Sequence, residues 1–183
     1  MMKRHREDVL IRRPVRVERI PDGSPQDLAA GELAQITQAL GSSFTLLVDG
    51  QLVRLKGADA DAIGKTPPEA VALPDKVELE DVSDLVWQTL KTCYDPEIPV
   101  DIVELGLIYR CDIEPLEGGE EVKVWIDLSL TAPGCGMGES IADEVCDKVL
   151  ALPRVGEITV NMVFDPPWDR SRMSEAAMLA LGM

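Results

Sequence analysis

The chain has a single histidine, His5, and it stands in a basic N-terminal run, so neither a Cys-His dyad nor a closed Cys/His zinc site can be assembled from it. Cysteine is sparse as well. Four in 183 residues, without dense spacing, do not make a disulfide scaffold, and reduced thiols are the default. No stretch approaches the roughly 18 consecutive apolar residues of a membrane span. The opening residues Met1-Met2-Lys3-Arg4-His5-Arg6 lead into charged sequence, not into the apolar heart of a secretion signal. These absences predict a cytoplasmic protein with no membrane partner. Basic residues are outnumbered, 18 Lys and Arg against 33 Asp and Glu, and the resulting formal charge of -15 repels phosphate. No nucleic-acid partner is expected. The first 20 residues run against this trend, with seven Lys or Arg against three Asp or Glu, and read as a solvated terminus. There is no G-x-S-x-G, no Walker loop, no dinucleotide fingerprint and no H-E-x-x-H, so the familiar catalytic casts are missing.

What is present is enough apolar residue, 45%, for a real core. Breaks at Gly64-Lys65-Thr66-Pro67-Pro68-Glu69 and Asp165-Pro166-Pro167-Trp168 divide the chain. The organisation expected is a β-rich N-terminal extension (1–75), an α+β domain (76–168) and a C-terminal helical tail (169–183). In the first part, residues 9–11 and 15–20 read as strands, and Asp49-Gly50 between residues 44–48 and 51–55 signals a hairpin. Residues 28–40 fit an amphipathic helix or a strand ending at Gly41; the β character of the neighbours favours the strand. In the middle part the order is helix (77–90, capped by Asp81 or Ser83), strand (102–113, with Gly106 a bulge or close approach), strand (122–130), helix (after residue 136) and strand (158–164). That order buries one face of a small mixed sheet under two helices, a two-layer α+β sandwich. In the tail, Met178, Leu179 and Leu181 are expected to be buried, and Trp168 reads as a packing anchor.

The densest chemical signal is Leu130-Thr131-Ala132-Pro133-Gly134-Cys135-Gly136-Met137-Gly138, a turn between a strand with period-2 alternation and a helix with Met137, Ile141, Val145, Val149 and Leu150 on one stripe. Just ahead of a helix N-terminus, unpaired N–H groups and the macrodipole favour a thiolate. Cys135 is therefore either a small residue filling a turn or an exposed functional thiol. Cys146 lies eleven positions on, about 16 Å along a helix, too far to share a metal with it. A second segment, Asp95-Pro96-Glu97-Ile98-Pro99-Val100-Asp101, holds three carboxylates on a stiff loop. They either line a metal or thiolate site or face solvent, the second reading being stronger for Glu97 and Glu104 than for Asp95 and Asp101.

Asp95-Pro96-Glu97-Ile98-Pro99, Leu105-Gly106-Leu107-Ile108-Tyr109, Leu130-Thr131-Ala132-Pro133-Gly134-Cys135 and Pro166-Pro167-Trp168 together resemble the SufT family, accessory factors of the SUF system of iron-sulfur cluster assembly. Residues 77–168 resemble the domain shared with cytosolic iron-sulfur targeting factors and the phenylacetate-degradation subunit PaaD. Ile36-Thr37-Gln38-Ala39-Leu40-Gly41 resembles a motif of the SufT extension, and Met173-Ser174-Glu175-Ala176-Ala177 its ending. The resemblance implies a non-enzymatic factor that assists transfer or targeting of clusters to apoproteins. In the family the residue matching Cys135 is the functional thiol and the one matching Asp95 belongs to the shared motif; joined to the loop reading, this makes Cys135 the expected metal ligand, with Asp95, Asp101 and Thr131 at the cofactor site. It also implies a transient iron-sulfur cluster or iron and no permanently bound cofactor, with the assembly machinery, recipient apoproteins and a second copy of the chain as partners. With one cysteine per site, a cluster would be bridged between two chains or completed by a partner or small thiol. Two other readings stand beside this one, an adaptor subunit of a phenylacetate-type oxygenase and a thiol-dependent enzyme. The SufT-like extension argues against the first, and the missing base against the second.

Overall fold

In the computed structural model the described residues are 6–40, 42–67, 71, 73–95, 98–132 and 136–183. They form two compact units, the first built mainly on residues 1–70 and the second on residues 71–95, 100–134 and 138–183.

Six strands make the first unit: β1 (Glu7–Leu10), β2 (Val15–Arg19), β3 (Pro25–Leu28), β4 (Leu33–Leu40), β5 (Ser43–Val48) and β6 (Gln51–Lys56). The sheet runs β1-β4-β5-β6-β2-β3, every pair antiparallel. Asp49 (φ 48) and Gly50 (φ 79) both take the left-handed conformation, whose twist matches a two-residue hairpin and sets Val48 opposite Gln51. The run over 28–40 is extended, as the strand reading expected, but Gly31 (φ 96) turns it between β3 and β4. Ile11, Val17, Leu28, Leu46, Val53 and Leu55 are almost sealed from solvent and form the core. After β6 the chain coils through a 3-10 segment, Gly57–Ile63, whose Asp59 and Asp61 both bind Arg13.

The second unit follows the helix, strand, strand, helix, strand order read from the sequence: α1 (Val82–Leu90), β7 (Ile108–Pro115), β8 (Val122–Leu128), α2 (Gly138–Leu150) and β9 (Val155–Met162), then a short α3 (Glu175–Ala180). β8 is central, antiparallel to β7 and parallel to β9, so the sheet is mixed and α2 is the crossover between parallel neighbours. Along β8 the alternation is complete: Val122, Val124, Ile126 and Leu128 are buried, while Lys123, Trp125 and Asp127 lie on the other face. α2 buries Ile141, Val145 and Val149, each worth about 1.5–3 kcal/mol of transfer free energy. Lys148 of α2 donates to the carbonyl and the hydroxyl of Thr92 (3.0 and 2.9 Å), filling acceptors just past the end of α1. The two helices are thereby tied at one point.

The helix read over 77–90 begins only at Val82 and the strand read over 158–164 runs from Val155 to Met162; four further details depart from the sequence reading. Residues 102–107 are a turn, not strand, because Asp101 captures two backbone N–H groups there; β7 begins only at Ile108. Asp81 does not cap α1 with its side chain. It accepts from Glu78 N–H in a capping box around a preceding 3-10 turn. Leu150, at the end of α2, is half exposed, since one step past Val149 rotates it off the buried stripe. In the tail, Leu179 is exposed and Met178 and Leu181 are only partly covered, while Met173 and Ala177 make the buried contact, with Ser174 capping the helix at Ala177 N–H.

Candidate functional site

Ile108 pairs with Leu128, and Leu128 with Met162, so the start of β7 and the ends of β8 and β9 lie at one end of the three-stranded sheet. The segments leaving that end are the long ones, residues 91–107 before β7, 129–137 after β8 and 163–174 after β9. They carry the sequence-predicted site residues.

Within residues 91–107 the backbone closes on itself. Ile102 N–H donates to Cys93 C=O at 2.9 Å, Leu107 N–H to Ile102 C=O at 3.0 Å, and Tyr94 and Asp101 form an antiparallel bridge. Asp95 is buried and partnered, at 6% exposure, and its N–H reaches Val100 C=O. Asp101 Oδ1 accepts from Val103 and Glu104 N–H, both at 3.0 Å. Burial pushes its carboxyl above the usual range, outweighing the two backbone bonds that pull it down. Burial, then the neighbouring Asp101 charge, raises the Tyr94 phenol in the same way. Ser129 N–H donates to Leu107 C=O at 2.8 Å, which ties the base of this loop to the segment carrying the half-buried Thr131. Asp95, Asp101 and Thr131 thus belong to loops joined at their bases. Cys135, with Pro133, Gly134, Pro96 and Glu97, lies outside the described residues, and so does the expected meeting of the proline loop with the cysteine turn. No group of three or more His, Cys, Asp or Glu with metal-binding geometry occurs among the described residues.

The other three cysteines are poor nucleophiles or ligands as they stand. Cys93 is sealed, with Sγ 3.8 Å from Thr89 C=O. Burial and the adjacent Asp112 push the Cys111 thiol up to about 11, and burial with Asp143 and Asp147 raises Cys146. A thiolate at neutral pH is disfavoured at Cys111 and Cys146.

The sequence reading underestimated residues 166–174, which strap the turn before β7. Trp168 Nε1 donates to Leu105 C=O at 2.7 Å, Tyr109 hydroxyl donates to Pro166 C=O at 2.8 Å, and the Arg172 guanidinium lies 4.0 Å from the Tyr109 ring centre. Ser174 N–H donates to Glu104 C=O at 2.9 Å and its hydroxyl to the Glu104 carboxylate. Glu104 is therefore a tethered side chain, not a loose one facing solvent. Gly106 (φ 73) is the close approach: a Cβ there would stand 2.2 Å from the Arg172 carbonyl oxygen. The signals were the glycine and the Pro-Pro-Trp run, each legible singly; their meeting was not.

An acidic loop, the stretch leading to a single cysteine and a C-terminal strap, gathered at one end of a helix-covered mixed sheet, define a class of small α+β domain. Residues 83–160 match the family described as Iron-sulfur cluster assembly protein. A Fe-S protein maturation auxiliary factor of Porphyromonas gingivalis is 39% identical over 104 residues, 57% of this chain and 93% of that protein. The Fe-S protein maturation auxiliary factor SufT of Staphylococcus aureus is 38% identical over 89 residues, 49% of this chain and 96% of that one. Among solved structures, a domain of unknown function from Bacillus anthracis is 40% identical, covering 57% of this chain and 94% of that chain with a TM-score of 0.48. The chain belongs to the iron-sulfur cluster assembly protein family.

Proposed function

We propose that this chain is an accessory factor in iron-sulfur protein maturation, assisting the transfer or targeting of clusters to recipient apoproteins. The observation that carries the reading is its 39% identity across 93% of a protein named for that role. An oxygenase adaptor finds no support among these relatives, which are named as maturation factors. The relatives are named auxiliary factors, and the role proposed for this chain is likewise non-enzymatic.

The cargo is an iron-sulfur cluster or iron, held transiently. Cys135 is the ligand of choice, because Cys93 is sealed and the Cys111 and Cys146 thiols are held protonated. Asp95, Asp101 and Thr131 stand on the two loops joined by the Ser129–Leu107 bond and would line the same end. A single cysteine leaves coordination incomplete, so a recipient apoprotein, a component of the assembly machinery, a second copy or a small thiol supplies the rest. The experiment is complementation of cells lacking the chain, read by the activity of iron-sulfur enzymes, with anaerobic iron and ultraviolet-visible analysis of the purified protein. Wild type should restore those enzymes and Cys135→Ala should not. Equal rescue by both would remove Cys135 from the site, and unaltered enzyme activity in the deletion strain would overturn the function.

A further inference from the structure

The strands at the sheet borders differ in how they are protected against pairing. β1 is four residues long and carries Glu7 and Asp8; β3 is equally short and begins with Pro25. β7 alternates Arg110, Asp112 and Glu114, ends in Pro115 and has a register shift between Ile108 and Arg110. These are the usual devices that keep an edge from pairing. β9 has a register shift at Gly156, near its start, but from Glu157 to Met162 its ladder is regular, with Glu157 its single charge and no proline.

Its free backbone groups can be assigned. Val163 N–H donates to Leu128 C=O at 2.9 Å and Leu128 pairs with Met162, so by the parallel-ladder pattern residues 159, 161 and 163 face β8. The N–H and C=O groups of Ile158, Val160 and Met162 point the other way, and no described residue bonds them.

We infer that the outer edge of β9 pairs with β9 of a second copy of this chain, antiparallel about a two-fold axis at Val160. This inference is independent of the proposed function. In that register Val160 faces its own counterpart and Ile158 faces Met162, so all the outward groups are satisfied by about six new backbone hydrogen bonds. The sequence is self-complementary there. Glu157 falls opposite Val163 and Thr159 opposite Asn161, so no like charges meet. Ile158, Val160 and Met162 are only partly covered within one copy and share one face of the strand. Leu150 at one end of β9 and Phe164 just past the other are 49% and 45% exposed, and antiparallel pairing brings Phe164 of one copy to the Leu150 end of the next. The two Met162 residues would be about 14 Å apart along the strands. An ideal Cβ at Gly138, the start of α2, lies 3.6 Å from Met162 Cε, so the two sheet ends that carry the candidate site stay separate. This dimer therefore forms without metal and is distinct from one bridged by a cluster.

The test is sedimentation velocity of the full chain, reduced and with a chelator, over a range of concentration and salt. A reversible monomer–dimer equilibrium is expected, tightening as salt screens the charge of -15 on each copy. Val160→Pro removes an outward N–H, which an edge strand tolerates, and should weaken the dimer at least about tenfold with circular dichroism and melting unchanged. Should that variant fail to fold, hydrogen exchange of the wild type decides: the Ile158, Val160 and Met162 amides should slow as protein concentration rises. A chain that stays monomeric throughout overturns the inference, as does a dimer whose formation leaves those three amides unprotected. Protection that arises only when a recipient apoprotein is added assigns the edge to that partner and overturns self-pairing.

Discussion

The two ends of the three-stranded sheet are built differently. At one end β7 and β8 are joined by a short turn through Gly118 (φ 99) and Gly119 (φ 71), and α2 and β9 by residues 151–154. There Val122 N–H donates to Arg154 C=O at 2.7 Å, and the Arg154 side chain reaches Val77 and Glu120 carbonyls. The opposite end is long loops, held by tryptophan, tyrosine and serine side chains reaching across 57 to 70 positions of sequence. Short turns close a sheet by local geometry and leave little to adjust. Long loops tied by a few specific bonds can present groups that a turn cannot, and function tends to gather on such segments when a rigid scaffold holds them.

If that contrast is correct, substituting a group the loops present should cost function, and substituting a group that ties the loops down should cost stability. Cys135→Ala has the largest expected effect: loss of iron-sulfur enzyme activity in cells, with unfolding free energy changed by no more than about 0.5 kcal/mol. Differential scanning fluorimetry beside the complementation assay reads both, and a large thermal shift would move Cys135 to a packing role. Gly106→Ala comes next. It puts a methyl group against the Arg172 carbonyl at positive φ, and should cost about 1–3 kcal/mol in urea unfolding while freeing the strap to proteolysis. Trp168→Phe keeps the ring and deletes the bond to Leu105, a loss of about 1 kcal/mol in the same measurement.

Asp101→Asn is subtler. Burial raises the folded carboxyl, so the folded state holds its proton to higher pH than the unfolded chain. Wild-type stability should fall as pH rises from the ordinary carboxylate value through the raised one. Asparagine still accepts from Val103 and Glu104 N–H, so the variant should fold and lack that falling limb. A thermal-melt series against pH checks it; identical profiles would mean the carboxyl is not raised. Smallest of all is Arg154→Gly, at the opposite end. Relief of its positive φ (69) offsets loss of its two side-chain bonds, and stability should move by no more than about 0.5 kcal/mol with function intact.

Local rules made much of the architecture legible. Asp49-Gly50 specified its hairpin, and the period-2 run in β8 and the 3.6-period stripe of α2 specified which faces are buried, because each depends on residues close in sequence. The reading went wrong where a side chain overrode its segment's pattern. Apolar residues 102–107 would suit a strand, yet one carboxylate, Asp101, turns the backbone instead. Met178, Leu179 and Leu181 looked like the buried face of the tail, but the docking of Ser174 on Glu104 aims the smaller Ala177 inward. For the candidate site, sequence pattern marked Asp95, Asp101, Thr131 and Cys135 as chemistry-bearing. What it could not supply was the bond from Ser129 to Leu107 that joins two loops, or the strap that arrives about 60 positions later.

That separation has a consequence for how the chain folds as it is made. The β7–β8 hairpin is local and can form as soon as both strands exist, whereas β9 must wait for the α2 crossover. The Leu105 and Glu104 carbonyls gain their strap partners only when Trp168 and Ser174 have been synthesised. The acidic loop is thus locked late, and a nascent chain that has not reached Ser174 holds a formed sheet with its loop end still open.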